Sequence, residues 1–108
     1  MRPIATAGLL LILTLPHAEA STRWDLLHWC RSEQPLDQAR CEGMLQAALD
    51  LTTHPDFTTE KHCFPAEITL PGLRNELVSW LEENRVAPEK SGLALLARGI
   101  SDRYPCPR

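Results

Sequence analysis

A chain of 108 residues with a formal net charge of −3 has no basic surface to offer a phosphate backbone, which excludes nucleic acid as an expected partner. Charged residues make up 23% of it, and both signs are interspersed rather than blocked, the pattern of an ordinary solvated surface. No repeat, low-complexity tract or linker divides it, so this length accommodates one domain with one modest core.

The amino-terminal stretch "MRPIATAGLLLILTLPHAEA" has a basic residue at Arg2, an apolar run from Ile4 to Leu15, and Ala18-Glu19-Ala20 ahead of Ser21. Together these read as a cleavable secretory signal peptide. The run is well short of the ~20 residues that a membrane-spanning helix needs. Residues 1–20 are therefore expected to be removed, and residues 21–108 to form one soluble, exported domain with no membrane attachment. All four cysteines, Cys30, Cys41, Cys63 and Cys106, fall in that mature part. An even number of cysteines in a short exported chain reads first as two disulfides.

Prolines punctuate the mature part into four segments of helical period. In "STRWDLLHWCR", Leu26, Leu27, Trp29 and Cys30 share a face, with Trp24 at its edge. In "DQARCEGMLQAALDLT", which follows Pro35, Cys41, Met44, Leu45, Ala48, Leu49 and Leu51 form one wide apolar arc opposite Glu42, Gln46 and Asp50. The stretch "THPDFTTEKHCFPAEI" breaks the period with two prolines and several threonines, and reads as a loop.

The third segment, "TLPGLRNELVSWLEENR", has Pro71 in its first turn with Thr69 or Leu70 as the cap. Leu70, Leu73, Leu77, Val78, Trp80 and Leu81 form its stripe. Arg74 falls inside that stripe, as a snorkelling side chain or one half of an interface ion pair. The fourth, "PEKSGLALLARGISDRY", is expected to open at Pro88 and Glu89 and to align Leu93, Leu96, Ala97, Ile100 and Tyr104. Leu95 and Gly99 then lie on its back, where a leucine beside a glycine suits a second packing surface such as a homodimer contact. Four amphipathic helices without a convincing strand make a small all-α domain.

The chemistry-bearing residues do not assemble into a catalytic or metal pattern. Structural zinc sites draw cysteines two to four residues apart, and none of the four lies that close to another. His62 beside Cys63, with His54 nearby, therefore reads as packing or surface rather than as metal ligation, and so does His28. A thiol enzyme needs a positioned base, and a redox pair normally shows C-x-x-C; neither is present. Ser91-Gly92 lacks the G-x-S-x-G frame of a nucleophile elbow. No enzyme activity, metal or cofactor is expected.

Four cysteines allow three pairings, which the sequence alone leaves open. A Cys30–Cys41 bond would clamp the first two helices at their turn, and Cys63 and Cys106 would meet if the third and fourth helices run antiparallel. The latter bond closes about 44 residues and would contribute on the order of 4 kcal/mol.

"CEGMLQAALD" (Cys41 to Asp50), "CFP" (Cys63 to Pro65), "LVSWLEENRVAP" and the closing "YPC" together resemble the Tai family of type VI secretion amidase-immunity proteins, in the branch that includes the resistance-associated immunity proteins. Met44 stands where that family pattern has an aromatic, and Ala47 where it usually has glycine; both are packing changes on the central helix. The resemblance implies a periplasmic protein that binds a peptidoglycan amidase effector and covers its cleft, protecting the producing cell. The connection "EENRVAPEKSG" between the third and fourth helices, with Glu82, Glu83, Asn84, Arg85 and Glu89, is the expected partner-binding element. The alternative is a small structural or stress-related periplasmic protein of the same fold with no toxin partner.

Overall fold

The computed structural model describes residues 21–108; the expected signal peptide lies outside them. Helix α1 spans Arg23–Arg31, α2 Pro35–Thr53, α3 Leu70–Glu83 and α4 Gly92–Arg103, with no strand among the described residues. The all-α, four-helix expectation holds. No helix among these residues is long and apolar enough to cross a membrane.

Three of the four described helices start where a side chain supplies a partner for a first free N–H group, and the other where a proline has no N–H to satisfy. Thr22 and Asp25 form a reciprocal capping box at α1, in which the Thr22 N–H donates to Asp25 Oδ2 at 2.9 Å. Pro35 occupies the first turn of α2. Thr69 Oγ1 accepts from the Gly72 N–H at 3.1 Å to cap α3, so of the two candidate caps it is the threonine that serves. At α4 the expected start is displaced. Pro88 and Glu89 stay in the connection, and the helix begins at Gly92 because Ser91 Oγ accepts from the Ala94 N–H at 3.1 Å.

Apolar faces then close on one core. Leu26 and Leu27 of α1, Cys41, Leu45 and Ala48 of α2, and Leu73, Leu77, Trp80 and Leu81 of α3 are buried together, with Met44, Leu49, Leu70 and Val78 packed at its margin. This follows the stripes in the sequence, and the methionine at position 44 fills its place as a flexible apolar side chain.

Helix α4 departs from the expectation. Leu95 and Gly99 do not form an exposed dimer face: Leu95 is 1% exposed, and Gly99 is buried as well. A Cβ at Gly99 would come within 2.9 Å of Leu77 Cδ2 and 3.1 Å of Trp80 Cε3, so the glycine is what lets α4 approach α3 so closely. Leu96 and Ile100 are buried too, so the buried face of α4 is the stripe Gly92, Leu95, Leu96, Gly99 and Ile100, rotated from the expected one, while Arg98 and Asp102 stay exposed. The Trp80 indole N–H also donates to Asp102 Oδ2 at 2.9 Å, joining α3 to α4. At its start, the Gly92 N–H donates to the Ser21 carbonyl at 2.8 Å, and a Cβ there would meet Ser21 Oγ at 2.7 Å and Leu26 Cγ at 3.0 Å. The backbone of α4 therefore rests directly on the beginning of α1.

Two disulfides lock this arrangement. Cys30–Cys41 joins α1 to α2, and Cys63–Cys106 joins the segment before α3 to the tail after α4. Around the second bond the Cys63 N–H donates to the Tyr104 carbonyl at 2.9 Å, and His62 and Pro105 form an antiparallel bridge. The His62 ring is 5% exposed. Its Nδ1 lies 2.8 Å from the Thr52 carbonyl, which can only accept, so Nδ1 carries a proton; Nε2 faces the Ser101 hydroxyl at 3.2 Å. This histidine stitches the loop to the end of α2 and to α4. Phe64 and Tyr104 stack beside it with centroids 4.8 Å apart, and burial, followed by the nearby Glu76 carboxylate, pushes the Tyr104 hydroxyl above its ordinary pKa of 10.0.

Because the two bonds close chain segments of very different length, separated by 11 and 43 positions, they differ in how much they restrict the unfolded chain. Replacing Cys63 and Cys106 together by alanine is expected to cost about 4 kcal/mol, and replacing Cys30 and Cys41 about 3 kcal/mol. Urea midpoints under non-reducing conditions measure both; midpoints equal to wild type would contradict the assignment.

Candidate functional site

The turn between α3 and α4 gathers all five residues expected to bind a partner, and it is built mainly from the end of α3. Helix α3 would leave its last carbonyls free. Asn84 takes the cap position, its N–H donating to the Trp80 carbonyl at 2.9 Å and its side-chain Nδ2 to the same oxygen at 2.8 Å. From α1, Arg23 donates to the Leu81 carbonyl at 2.6 Å and to the Asn84 carbonyl at 2.8 Å. A planar guanidinium suits this task because it reaches two acceptors at once, and a cation at a helix carboxyl end also meets the negative end of its dipole.

The acidic residues are turned to bracing the domain. Glu82 pairs with Arg31 of α1. Glu83 accepts from Arg103 of α4 at 2.6 Å, and Glu89 accepts from Arg98 of α4 at 2.8 Å. These pairs are partly exposed, so each contributes at most about 1 kcal/mol to stability. Their effect is geometric, since three pairs to two different helices leave the turn little room to swing. Four of the five expected residues, Glu82, Glu83, Asn84 and Glu89, are thus held by the chain's own groups.

What the turn presents outward is different. Arg85 makes one long contact, 3.4 Å from its Nε to the Glu82 carbonyl. Among the described residues no carboxylate lies within 4 Å of Arg85 or of Lys90, unlike the paired Arg31, Arg98 and Arg103. Val86 is 95% exposed. Across from them on α1, Trp24 is 72% exposed. It stands between a hollow of about 540 Å³ lined by Thr22, Arg23, Arg85 and Lys90 with the indole itself, and one of about 400 Å³ that it shares with Leu27, His28, Arg31 and Ser32.

Trp24, Val86 and Lys90 were not among the expected site residues. Periodicity assigned Trp24 to the margin of the buried face. The signal that could have found Val86 is its position as an apolar side chain in the middle of an otherwise polar turn.

Elsewhere, Arg74 is half-buried and lines a hollow of about 370 Å³ with Cys30, Gln38 and Val78. Among the described residues no carboxylate lies within 4 Å of it, so it forms no ion pair within the described domain. All four cysteines are consumed in disulfides, which leaves no thiol among the described residues for nucleophilic or metal chemistry.

Arg23 is the one side chain that ties α1 to the end of α3 through charged hydrogen bonds to backbone. Arg23→Ala is expected to cost about 1–3 kcal/mol by leaving the part-buried Leu81 carbonyl without a donor and the Asn84 carbonyl with the Ala87 N–H alone, read from the urea midpoint. Arg23→Lys should recover only part of the loss, because a point charge cannot serve both oxygens. A wild-type midpoint for the alanine variant would contradict the role.

No curated protein and no solved structure gives a significant match to the chain. Among protein families, the one described as Rap1a immunity proteins matches residues 22–106, nearly the whole described domain, including both disulfides and the braced turn. The chain therefore belongs to the Rap1a immunity protein family.

Proposed function

We propose that the mature chain is exported to the periplasm, where it binds a peptidoglycan amidase effector delivered by type VI secretion and inhibits it, protecting the producing cell. The observation that carries this reading is the match to an immunity family over residues 22–106. The sequence resemblance to the Tai amidase-immunity proteins supplies the amidase as the target class, and the signal-like first twenty residues supply the compartment.

The physical form suits an inhibitor. Two disulfides and a turn braced from two sides mean that little conformational freedom remains to be lost on association, and a preorganised surface keeps more of its contact energy as affinity. The α3–α4 turn is the element that covers the amidase cleft. It need supply no catalytic group, because exclusion of the substrate is enough.

The test is a periplasmic pull-down with the tagged mature chain, followed by an amidase assay on the protein retained. Recovery of a wall amidase that loses activity in the complex, with loss of protection from intoxication when the chain is deleted, is expected. Failure to recover any wall hydrolase, together with undiminished resistance in the deletion strain, would overturn the proposal.

A further inference from the structure

The geometry points to Trp24 of α1, together with Arg85, Val86 and Lys90 of the α3–α4 turn, as one recognition surface for an acidic patch on the effector, with Trp24 as its apolar anchor. This rests on the immunity reading and adds to it a second element, α1, and the chemistry of what is bound.

Three observations carry the inference. The first is charge. The chain as a whole is acidic, with net charge −3, yet the carboxylates around this surface are already engaged: Asp25 in the α1 capping box, Glu82 with Arg31, and Glu89 with Arg98. Among the described residues Arg85 and Lys90 are left without a counter-ion, so the local field is positive. A partner that places carboxylates there gains attraction, and it displaces no internal ion pair to do so.

The second is the aromatic residue. A tryptophan 72% exposed that shares a hollow with Arg85, and a valine 95% exposed next to Arg85 in sequence, leave apolar surface that nothing among the described residues covers. Tryptophan and arginine are the residue types most often found as binding anchors, and their two-sided setting here resembles an anchor ridge between two receiving hollows. The third is continuity. Arg85 and Lys90 line the same hollow as Trp24, and Arg23, the floor of that hollow, is fixed to the carbonyls of Leu81 and Asn84. The helix bearing the tryptophan and the turn bearing the cations are therefore held in register before any partner arrives.

The test uses the amidase retained by the wild-type mature chain and measures association and dissociation rates for wild type, Trp24→Ala, the double variant Arg85→Glu/Lys90→Glu, and a control, Phe57→Ala, in the connection between α2 and α3, where Phe57 is exposed and lines neither hollow. Helical circular dichroism confirms that each variant folds. Trp24→Ala is expected to speed dissociation by roughly thirtyfold, as for a strong anchor. The charge-reversed variant should associate about tenfold more slowly at low salt, with the difference shrinking as salt is added, and the control should match wild type. If the wild-type chain binds the amidase and both test variants bind with unchanged rates, this surface is not the recognition site, while the immunity reading stands. If the wild-type chain retains no amidase, the immunity reading fails and this inference falls with it.

Discussion

The domain depends on α4 being held at both ends while one face of its middle is buried. At the start, the Gly92 N–H bonds to the Ser21 carbonyl, and the absence of a side chain lets the helix settle against Leu26. At the finish, Cys106 is covalently tied to Cys63, and the Tyr104 carbonyl accepts from the Cys63 N–H. In between, Leu95, Leu96, Gly99 and Ile100 are buried. In so small a chain apolar burial leaves only a narrow surplus over conformational entropy, and a helix whose one buried face meets the three other helices while its ends are pinned makes the most of each residue. The turn preceding α4 inherits its position from this arrangement.

Much of the fold is legible in the sequence, because most elements have one buried face. The α3 stripe from Leu73 to Leu81 and the α2 arc from Cys41 to Ala48 are visible as helical period, and helix placement put Cys30 near Cys41 and Cys63 near Cys106. What periodicity misses follows from its own assumption. A search for apolar side chains gives Gly92 and Gly99 no weight and so centres the α4 face on Leu93, Leu96, Ala97 and Ile100; the buried face is the overlapping stripe Gly92, Leu95, Leu96, Gly99 and Ile100, because the glycines are where α1 and α3 come closest. The start of α4 was misplaced for a similar reason. Pro88 and Glu89 are suited to a helix amino end, but the Ser91 cap, together with the contact between Ser21 and Gly92, sets the first turn further on.

The candidate site was legible in location and not in detail. A polar connection of mixed charge stands out between two amphipathic helices, yet residue type cannot say whether a glutamate faces solvent or an arginine of a neighbouring helix. Arg31, Arg98 and Arg103 are distant from the turn in sequence, and they meet Glu82, Glu89 and Glu83 only once the helices pack. The same packing turns the acidic residues from candidate contacts into braces and leaves Arg85, Val86 and Lys90 as the outward chemistry. An immunity protein gains from this division of labour, since residues that shape the turn are kept apart from those free to vary with the target.

The most direct measurement is amide hydrogen exchange on residues 21–108, free and bound to the proposed amidase effector. Slowed exchange on binding is expected across residues 82–91 and in the first turn of α1, with the outer face of α2 unchanged. Protection confined to α2, with the α3–α4 turn exchanging as fast in the complex as in the free chain, would contradict the central claim that the braced turn is what meets the effector.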